Sequence, residues 1–464
     1  MRFATAIFCL LLVRATPQKT LPNVQQRFGV AIEAIFGVGI RLQVLLDDPS
    51  TESQRNFLVS PLSATLLLSQ LMLGADQDFR IELHNLLSLP NNTDHNQAMI
   101  KYYGHHGNKT FKLPYAKLHS QMGNLIRELN KRDHTKSFVL NCSSGLFYNS
   151  QFKLLDNFKH NLHIYETALQ PLNFSTDPTT SRRVINDWAA EQTRGVIKSI
   201  LPATLPRTTA AIFSNAIYFK ADWETPFSYE LNTIAPFHTG PQQTVNVEYM
   251  QGIFDNLLYV ESSELRCRIV RLPYKNDEVA MYFILPTPDD GKEYNIRKFT
   301  ADLNPKDVIQ LLAQMKKSKV ALQVPKFKIV NNLSVLDPLQ RYRVFERLYR
   351  NVLKTKAQGG DPVDIIQNRI DLYNALRTTE KVDIALNEAA EQPVKISNIF
   401  QQVSLSVDEK GTEAAAISAS VIDYIGGTKS FRLERPFSFL IEHEPTSVAL
   451  FWGTLADPTQ IMQL

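Results

Sequence analysis

A catalytic serine on a strand-turn-helix elbow needs Gly-X-Ser-X-Gly, and the 464-residue sequence contains no such motif. His443-Glu444 runs into Pro445, where a zinc-binding helix would need X-X-His. Gly426-Gly427-Thr428-Lys429-Ser430 resembles a phosphate loop only in part, because the first glycine is missing at the required distance. The ten histidines are scattered, His105-His106 being the one adjacent pair, and no Cys/His group has metal-ligand spacing. These residues call for no enzyme and no metal. A different kind of chemistry is written in Ser406-Val407-Asp408-Glu409-Lys410-Gly411-Thr412-Glu413-Ala414-Ala415-Ala416-Ile417-Ser418-Ala419-Ser420. A strand passes through a charged turn into a run of side chains too small to hold a core, and taken alone that run reads as a linker or a weak Ala-rich helix.

The elements around this run are legible from periodicity. Residues 28–46 read as a long apolar helix, 61–75 as a second opened by Ser60-Pro61, and 186–193 as an amphipathic helix stopping at Gly195. Strand patterns occupy 211–219, 267–274, 278–285, 319–324, 403–407, 437–441 and 448–452. Helices dominate the first half and strands the second without βα alternation, which points to an α+β fold. A net charge of +4 gives no basic excess of the kind nucleic-acid binders carry. Met1-Arg2, the apolar run Phe3–Val13 and Ala15 have the form of a secretory signal peptide over 1–15, leaving 16–464 as one domain. No later stretch has the ~20 apolar residues of a membrane helix. Cys142 and Cys267 are too few for a disulfide framework and are expected as buried, unpaired thiols, although one bridge is open to them. Export agrees with five Asn-X-Ser/Thr sequons at Asn91, Asn108, Asn141, Asn173 and Asn332, of which Asn141, against a predicted strand, fits a glycan least well.

Several motifs then recur in one order along nearly the whole chain. They are Asn56-Phe57-Leu58-Val59-Ser60-Pro61-Leu62-Ser63, Ile185-Asn186-Asp187-Trp188 to Gly195, and Ser214-Asn215-Ala216-Ile217-Tyr218-Phe219-Lys220 with Trp223. Leu272-Pro273-Tyr274, Val324-Pro325-Lys326-Phe327, Arg435-Pro436-Phe437, Phe451-Trp452-Gly453 and Asp457-Pro458 follow. In this set the sequence resembles the serpin family of serine protease inhibitors, and 411–420 resembles the hinge of the serpin reactive loop. The resemblance implies helices packed around a large central mixed sheet with smaller sheets beside it, and an exposed reactive-centre loop at about 409–432. It implies a secreted, monomeric suicide inhibitor whose loop is cleaved by an extracellular serine protease, enters the central sheet and traps the enzyme covalently. A non-inhibitory serpin, acting as carrier, chaperone or storage protein, is the alternative.

A strand entering a packed sheet needs one face of small side chains, because overpacking costs ~1–3 kcal/mol per site. With a period of 2, Thr412, Ala414, Ala416 and Ser418 share one face, while Glu413, Ala415, Ile417 and Ala419 share the other. Gly411 supplies backbone freedom where the chain must fold over. In the family's common loop length the cut bond lies fourteen residues past the hinge glycine, at Ile425-Gly426. Ile425 suits an elastase-like pocket; a slip of one residue presents Tyr424 to a chymotrypsin-like one.

Three features depart from the family pattern. Ser60, Ser63, Asn215 and the breach residue Trp223 match it, but Gln401 stands where the shutter usually has His. From Pro325 to Glu409 the chain is roughly thirty residues longer than usual, which places a helical insertion within about 341–395. Ile417 is larger than the usual residue at its position. Arg341, Arg343, Arg347 and Arg350 in the insertion read as a solvated helix face or, more sharply, as a docking patch for a heparin-like polyanion, which leaves glycosaminoglycan activation as the only cofactor role under consideration.

Overall fold

The computed structural model describes residues 21–46, 55–90, 98–104, 107–131, 137–288 except 202 and 241, 295–357 except 304, 381–411 and 427–460. The expected signal peptide, Asn91, residues 358–380 of the insertion and loop residues 412–426 lie outside this set. The helices around the site are α1 (Leu21–Leu46), α2 (Pro61–Gly74), α3 (Gln77–Leu86), α4 (Ala116–Leu129), α5 (Pro178–Gln192) and α6 (Leu336–Ala357). The strands are β1 (Phe138–Asn149), β2 (Ala168–Leu172), β3 (Ala211–Ala221), β4 (Thr233–Gly240), β5 (Gln243–Ser262), β6 (Lys316–Pro325), β7 (Phe327–Ser334), β8 (Val394–Val407) and β9 (Lys429–Arg432).

The fold is α+β. Its central sheet runs β7-β8-β3-β1-β2. β7 is antiparallel to β8 and β3 to β1, whereas β8 and β3, in the middle, are parallel. A second mixed sheet holds Phe57–Val59, Val448–Leu455, Phe437–His443, Val279–Pro286, Cys267–Pro273, β5, β6 and β9, with β4 paired to β5. The strand patterns read from the sequence all lie in these elements, shifted at their ends by a few residues except at 403–407, where β8 begins nine residues earlier, at Val394.

Burial explains how the helices sit. All fourteen residues of α2 are buried, as expected of a helix that is apolar all round. It starts where Ser60 Oγ accepts the Ser63 N–H and Pro61 presets the first turn. On the opposite face of the central sheet α5 lays Trp188 edge-on to Phe147, with ring centroids 5.4 Å apart, over Phe174, Ile185, Leu201 and Ile212. Asp177 caps α5 at Thr180 N, and the chain turns away at Gly195 with φ of +80°. α1 begins at Leu21, seven residues before the apolar run that marked it, because Val24-Gln25-Gln26-Arg27 propagate a helix without needing burial. Cys142 and Cys267 are free and buried, and burial pushes both thiols up to about 12.

Helix α6 starts at Leu336, ahead of the expected insertion, and only part of it is an open cationic face. Arg343 is buried. Its Nε donates to Glu82 Oε2 on α3, its Nη1 donates to the Asp383 carbonyl at 2.6 Å, and its Cζ lies 4.2 Å from the Phe79 ring centroid. Arg347 Nε pairs with Glu82 Oε1 at 3.1 Å. Two of the four arginines expected to meet a polyanion are therefore bound to the protein's own carboxylate. Arg341 is half-buried, and the side chain of Arg350 lies outside the described residues. Arg343 is thus removed from the expected heparin-like docking patch: helical periodicity turned it inward, where it fastens α6 to α3. Glu82→Ala leaves a buried guanidinium unpaired and should cost ~3–5 kcal/mol in urea unfolding. Arg347→Ala, at a half-exposed position, should cost less than ~1 kcal/mol.

Candidate functional site

The site is the seam between β3 and β8 and the turn at its open end. The parallel pairing runs from Ile396↔Ala211 through Gln401↔Asn215 to Val403↔Ile217 and then stops. Beyond it β8 continues to Val407 on β7 alone, and β3 continues to Ala221 on β1 alone. The two strands part there, and the turn 408–411 sits in the mouth.

That turn is tied to both sides. Asp408 and Gly411 exchange backbone hydrogen bonds at 3.2 and 3.3 Å, and Gly411 also bridges Asp222 in antiparallel sense. Trp223 N donates to Lys410 O at 2.9 Å, Phe227 N to Glu409 O at 2.8 Å, and the Trp223 indole to Asp408 O at 2.9 Å. Gly411 has φ of +128°, and a Cβ there would stand 2.4 Å from the Ala221 carbonyl oxygen. Only glycine fits. Trp223 is itself buried and stacks on Tyr274 with centroids 4.3 Å apart.

The side chain of Glu409 is the electrostatic anchor. It is 1% exposed, pairs with Lys326 Nζ at 3.0 Å and accepts from Asn232 Nδ2. Lys326 also reaches Glu248 at 3.2 Å. Burial by itself would raise the Glu409 pKa, but the Asn232 amide, a backbone N–H and Lys326 outweigh it and hold it below the ordinary carboxylate value. Its neighbour Asp408 is pushed the other way, chiefly by burial.

Lower in the seam the expected shutter residues form one buried chain. Gln401 Nε2 donates to Ser60 O at 2.9 Å and to Ser63 Oγ at 3.0 Å, and Gln401 Oε1 accepts from Ser60 N at 3.3 Å. Ser63 Oγ donates to Asn215 Oδ1 at 2.6 Å. Asn215 Nδ2 donates to Ser144 Oγ at 3.0 Å, which Gln70 Nε2 also reaches; Thr167 Oγ1 closes the run on Gln70 Oε1. Gln401 thus does the bonding of the expected His with a neutral amide. Sequence reading missed Ser144, Gln70 and Thr167, as well as Lys326, Asn232 and Tyr274. Gln70 was a visible signal, a lone amide inside Leu66-Leu67-Leu68-Ser69-Gln70-Leu71-Met72-Leu73.

Of the remaining candidates, Thr412, Glu413, Ala414, Ala415, Ala416, Tyr424, Ile425 and Gly426 lie outside the described residues. Asn173 is exposed, though its Oδ1 accepts from Ser150. Asn141 is half-buried in β1, and its Nδ2, the atom a glycan would take, donates to Gln192 O. Asn108 lies in the strand Gly107–Leu113 and Asn332 in β7.

Glu409 carries a pH dependence. Its contribution is complete above the ordinary carboxylate pKa of 4.5 and is lost as pH falls through the depressed folded value. Glu409→Gln should therefore cost ~1.5–3 kcal/mol at pH 7, the worth of hydrogen bonds to a charged group. The gap from the parent protein should close toward pH 3 in urea titrations run across pH.

Comparison with known proteins places this geometry. "Serine protease inhibitor 2" of Anopheles gambiae is 26% identical over 418 residues, covering 87% of this chain and 87% of that protein. "Leukocyte elastase inhibitor" of Xenopus laevis is 29% identical over 346 residues, covering 74% of this chain and 83% of that protein. Among solved structures, human glycosylated kallistatin superposes with a TM-score of 0.70 at 25% identity, covering 93% of this chain and 99% of that one. A thyroxine-binding globulin complex with thyroxine superposes with a TM-score of 0.69 at 22% identity, covering 93% and 100%, a likeness of fold alone. A family model described as serpin (serine protease inhibitor) matches residues 40–458, from within α1 to past the last strand, so the split central sheet and the turn in its mouth belong to a member of the serpin family.

Proposed function

We propose that the chain, one domain over 16–464, is a secreted, monomeric suicide inhibitor of an extracellular serine protease of elastase-like or chymotrypsin-like specificity. The observation that carries this is the register at the mouth. Gly411 bridges Asp222 on one side and Asp408 on the other, both antiparallel. Stepping inward from both bridges puts Ser418 between Asn215 and Gln401, which already face each other across the seam. The two sides agree. A strand entering there would be antiparallel to both neighbours, the more stable pairing.

In that register Thr412 would lie between Ala221 and Val407, Ala414 between Phe219 and Leu405, and Ala416 between Ile217 and Val403, six neighbours that are all buried. Small side chains suit them. Glu413 would fall between Lys220 and Ser406, and Ala415 between Tyr218 and Ser404, where β3 and β8 are half-exposed. The charge therefore lands on the wet face, beside a lysine. Ile417 would meet Ala216 and Gln402 beneath the segment after α5, a closer fit than its neighbours have.

In the proposed reaction the protease serine attacks the carbonyl of Ile425, the Ile425-Gly426 bond breaks, and the amine freed at Gly426 takes up a proton and stays on the carboxyl-terminal segment, whose strands remain in the second sheet. The acyl-enzyme ester remains on Ile425. Insertion of 412–420 carries that ester away from the mouth before water cleaves it. Tyr424 would serve instead for a chymotrypsin-like enzyme. Fusing an inserted strand to the sheet adds about ten hydrogen bonds at ~1 kcal/mol each. At ~2 °C per kcal/mol, nicking the loop with a non-target protease should raise Tm by ~20 °C. A cleaved protein that melts where the intact one does would favour the carrier or storage reading. With elastase or chymotrypsin an SDS-stable adduct should form, and mass spectrometry should find the released fragment starting at Gly426, or at Ile425 for the Tyr424 register.

A further inference from the structure

The loop outside the described residues leaves from Gly411 and returns at Gly427, ahead of β9. β4 is tied to both of its flanks. Before its first residue, Phe227 N and Asn232 Nδ2 hold Glu409, and toward its end His238 N donates to Glu434 O at 2.8 Å. From Thr233 to His238 is about 17 Å of strand. The chain from Gly411 to Lys429 could span up to ~60 Å, several times the length of β4. A protease held on a loop with these two ends would have the outer face of β4 beside it.

That face has an apolar centre. Ile234 is 78% exposed, more than the other exposed large apolar side chains among the described residues, Leu155, Val196 and Tyr229. It lies opposite Glu248, and Pro236 beside it lies opposite Asn246. Pro236, His238, Thr244, Asn246 and Glu248 are exposed, so polar groups rim the two apolar ones. The other face of the hairpin is core, with Phe237, Val247 and Tyr249 buried. Nothing in the fold needs an isoleucine at 234. The hinge is one step away, because Glu248 accepts from Asn232 at 2.7 Å and pairs with Lys326, and both of those hold Glu409.

We infer that Ile234 and Pro236 form a second contact for the protease that takes the loop, receiving an apolar side chain on the enzyme's surface beside its cleft. The inference rests on the inhibitory reading. Such a contact acts on the encounter complex, before acylation, and leaves sheet insertion untouched.

The test uses the full chain with pancreatic elastase and chymotrypsin as probes. Ile234→Glu, and Ile234→Thr as a strand-compatible second variant, should slow association with the adduct-forming enzyme about tenfold and about threefold. Binding to that enzyme with its nucleophile replaced by alanine should weaken by the same factors. Stoichiometry and the rise in Tm after nicking should stay at the parent values. Adduct formation at the parent rate by both variants overturns the contact while leaving the inhibitor reading standing. Absence of any adduct with either enzyme, with the nicking rise intact, overturns the target class and this contact with it. Absence of the nicking rise in the parent overturns the inhibitory reading itself.

Discussion

Everything in this molecule turns on two parallel strands, β3 and β8, pressed together at the centre of a sheet whose other contacts at that point are antiparallel. Their ladder holds from Ala211 to Ile217 and ends where each strand continues on its outer neighbour alone. Parallel pairs are slightly weaker per residue than antiparallel ones. An antiparallel strand between them would replace one weaker ladder by two stronger ones. Among the described residues the seam also leaves Ser214 Oγ and Gln402 Oε1 buried without hydrogen-bond partners, a penalty the closed sheet carries.

Two devices keep the seam shut. At the mouth, the 408–411 turn is fixed by backbone bonds to Trp223 and Phe227 and by the Glu409 cluster. In the middle, Gln401 and Asn215 are bonded to Ser60 and Ser63 at the start of α2. The second device couples the sheet to the helix behind it: β8 and β3 cannot separate at that level unless one of them gives up a bond to α2. The devices differ in kind. The mouth depends on charge and answers to acid and salt, whereas the middle is neutral and depends on geometry.

How much of this was legible in the sequence varied with its physical origin. Alternating and continuous apolar runs gave the strands, because burial on one or both faces is a local pattern. The small-residue run after Gly411 could be sorted into two faces because strand period is strict; in the proposed register those faces would meet the buried and half-exposed positions of β3 and β8. Arg343 escaped because nothing local distinguishes a basic residue facing solvent from one facing Glu82, 261 positions away. Lys326 and Asn232 escaped for the same reason: each is ordinary in its own segment and acquires its role only when β6, β4 and the turn meet. The Leu21 start of α1 escaped because burial was the signal used, and its first turns do not depend on burial.

The substitution of Gln401 for the family's histidine has a consequence that follows from its bonds. A histidine in the middle of the seam would be a titratable group, and taking a proton there would disturb a network of neutral donors and acceptors. Gln401 supplies one acceptor and two donor contacts with no titration at all. The histidine buried nearest in character, His119, is held neutral by burial with its pKa down at about 3 and is bonded to Tyr165. Burial at position 401 is as complete, and Gln401 meets it without any ionisable group. What remains for acid to act on at the seam is the mouth, through Glu409, held below the ordinary carboxylate value, and Asp408, pushed above it. The chain has in effect separated the two devices: the middle is bonded through groups that do not titrate, and the strength of its closure is set by amide and hydroxyl geometry.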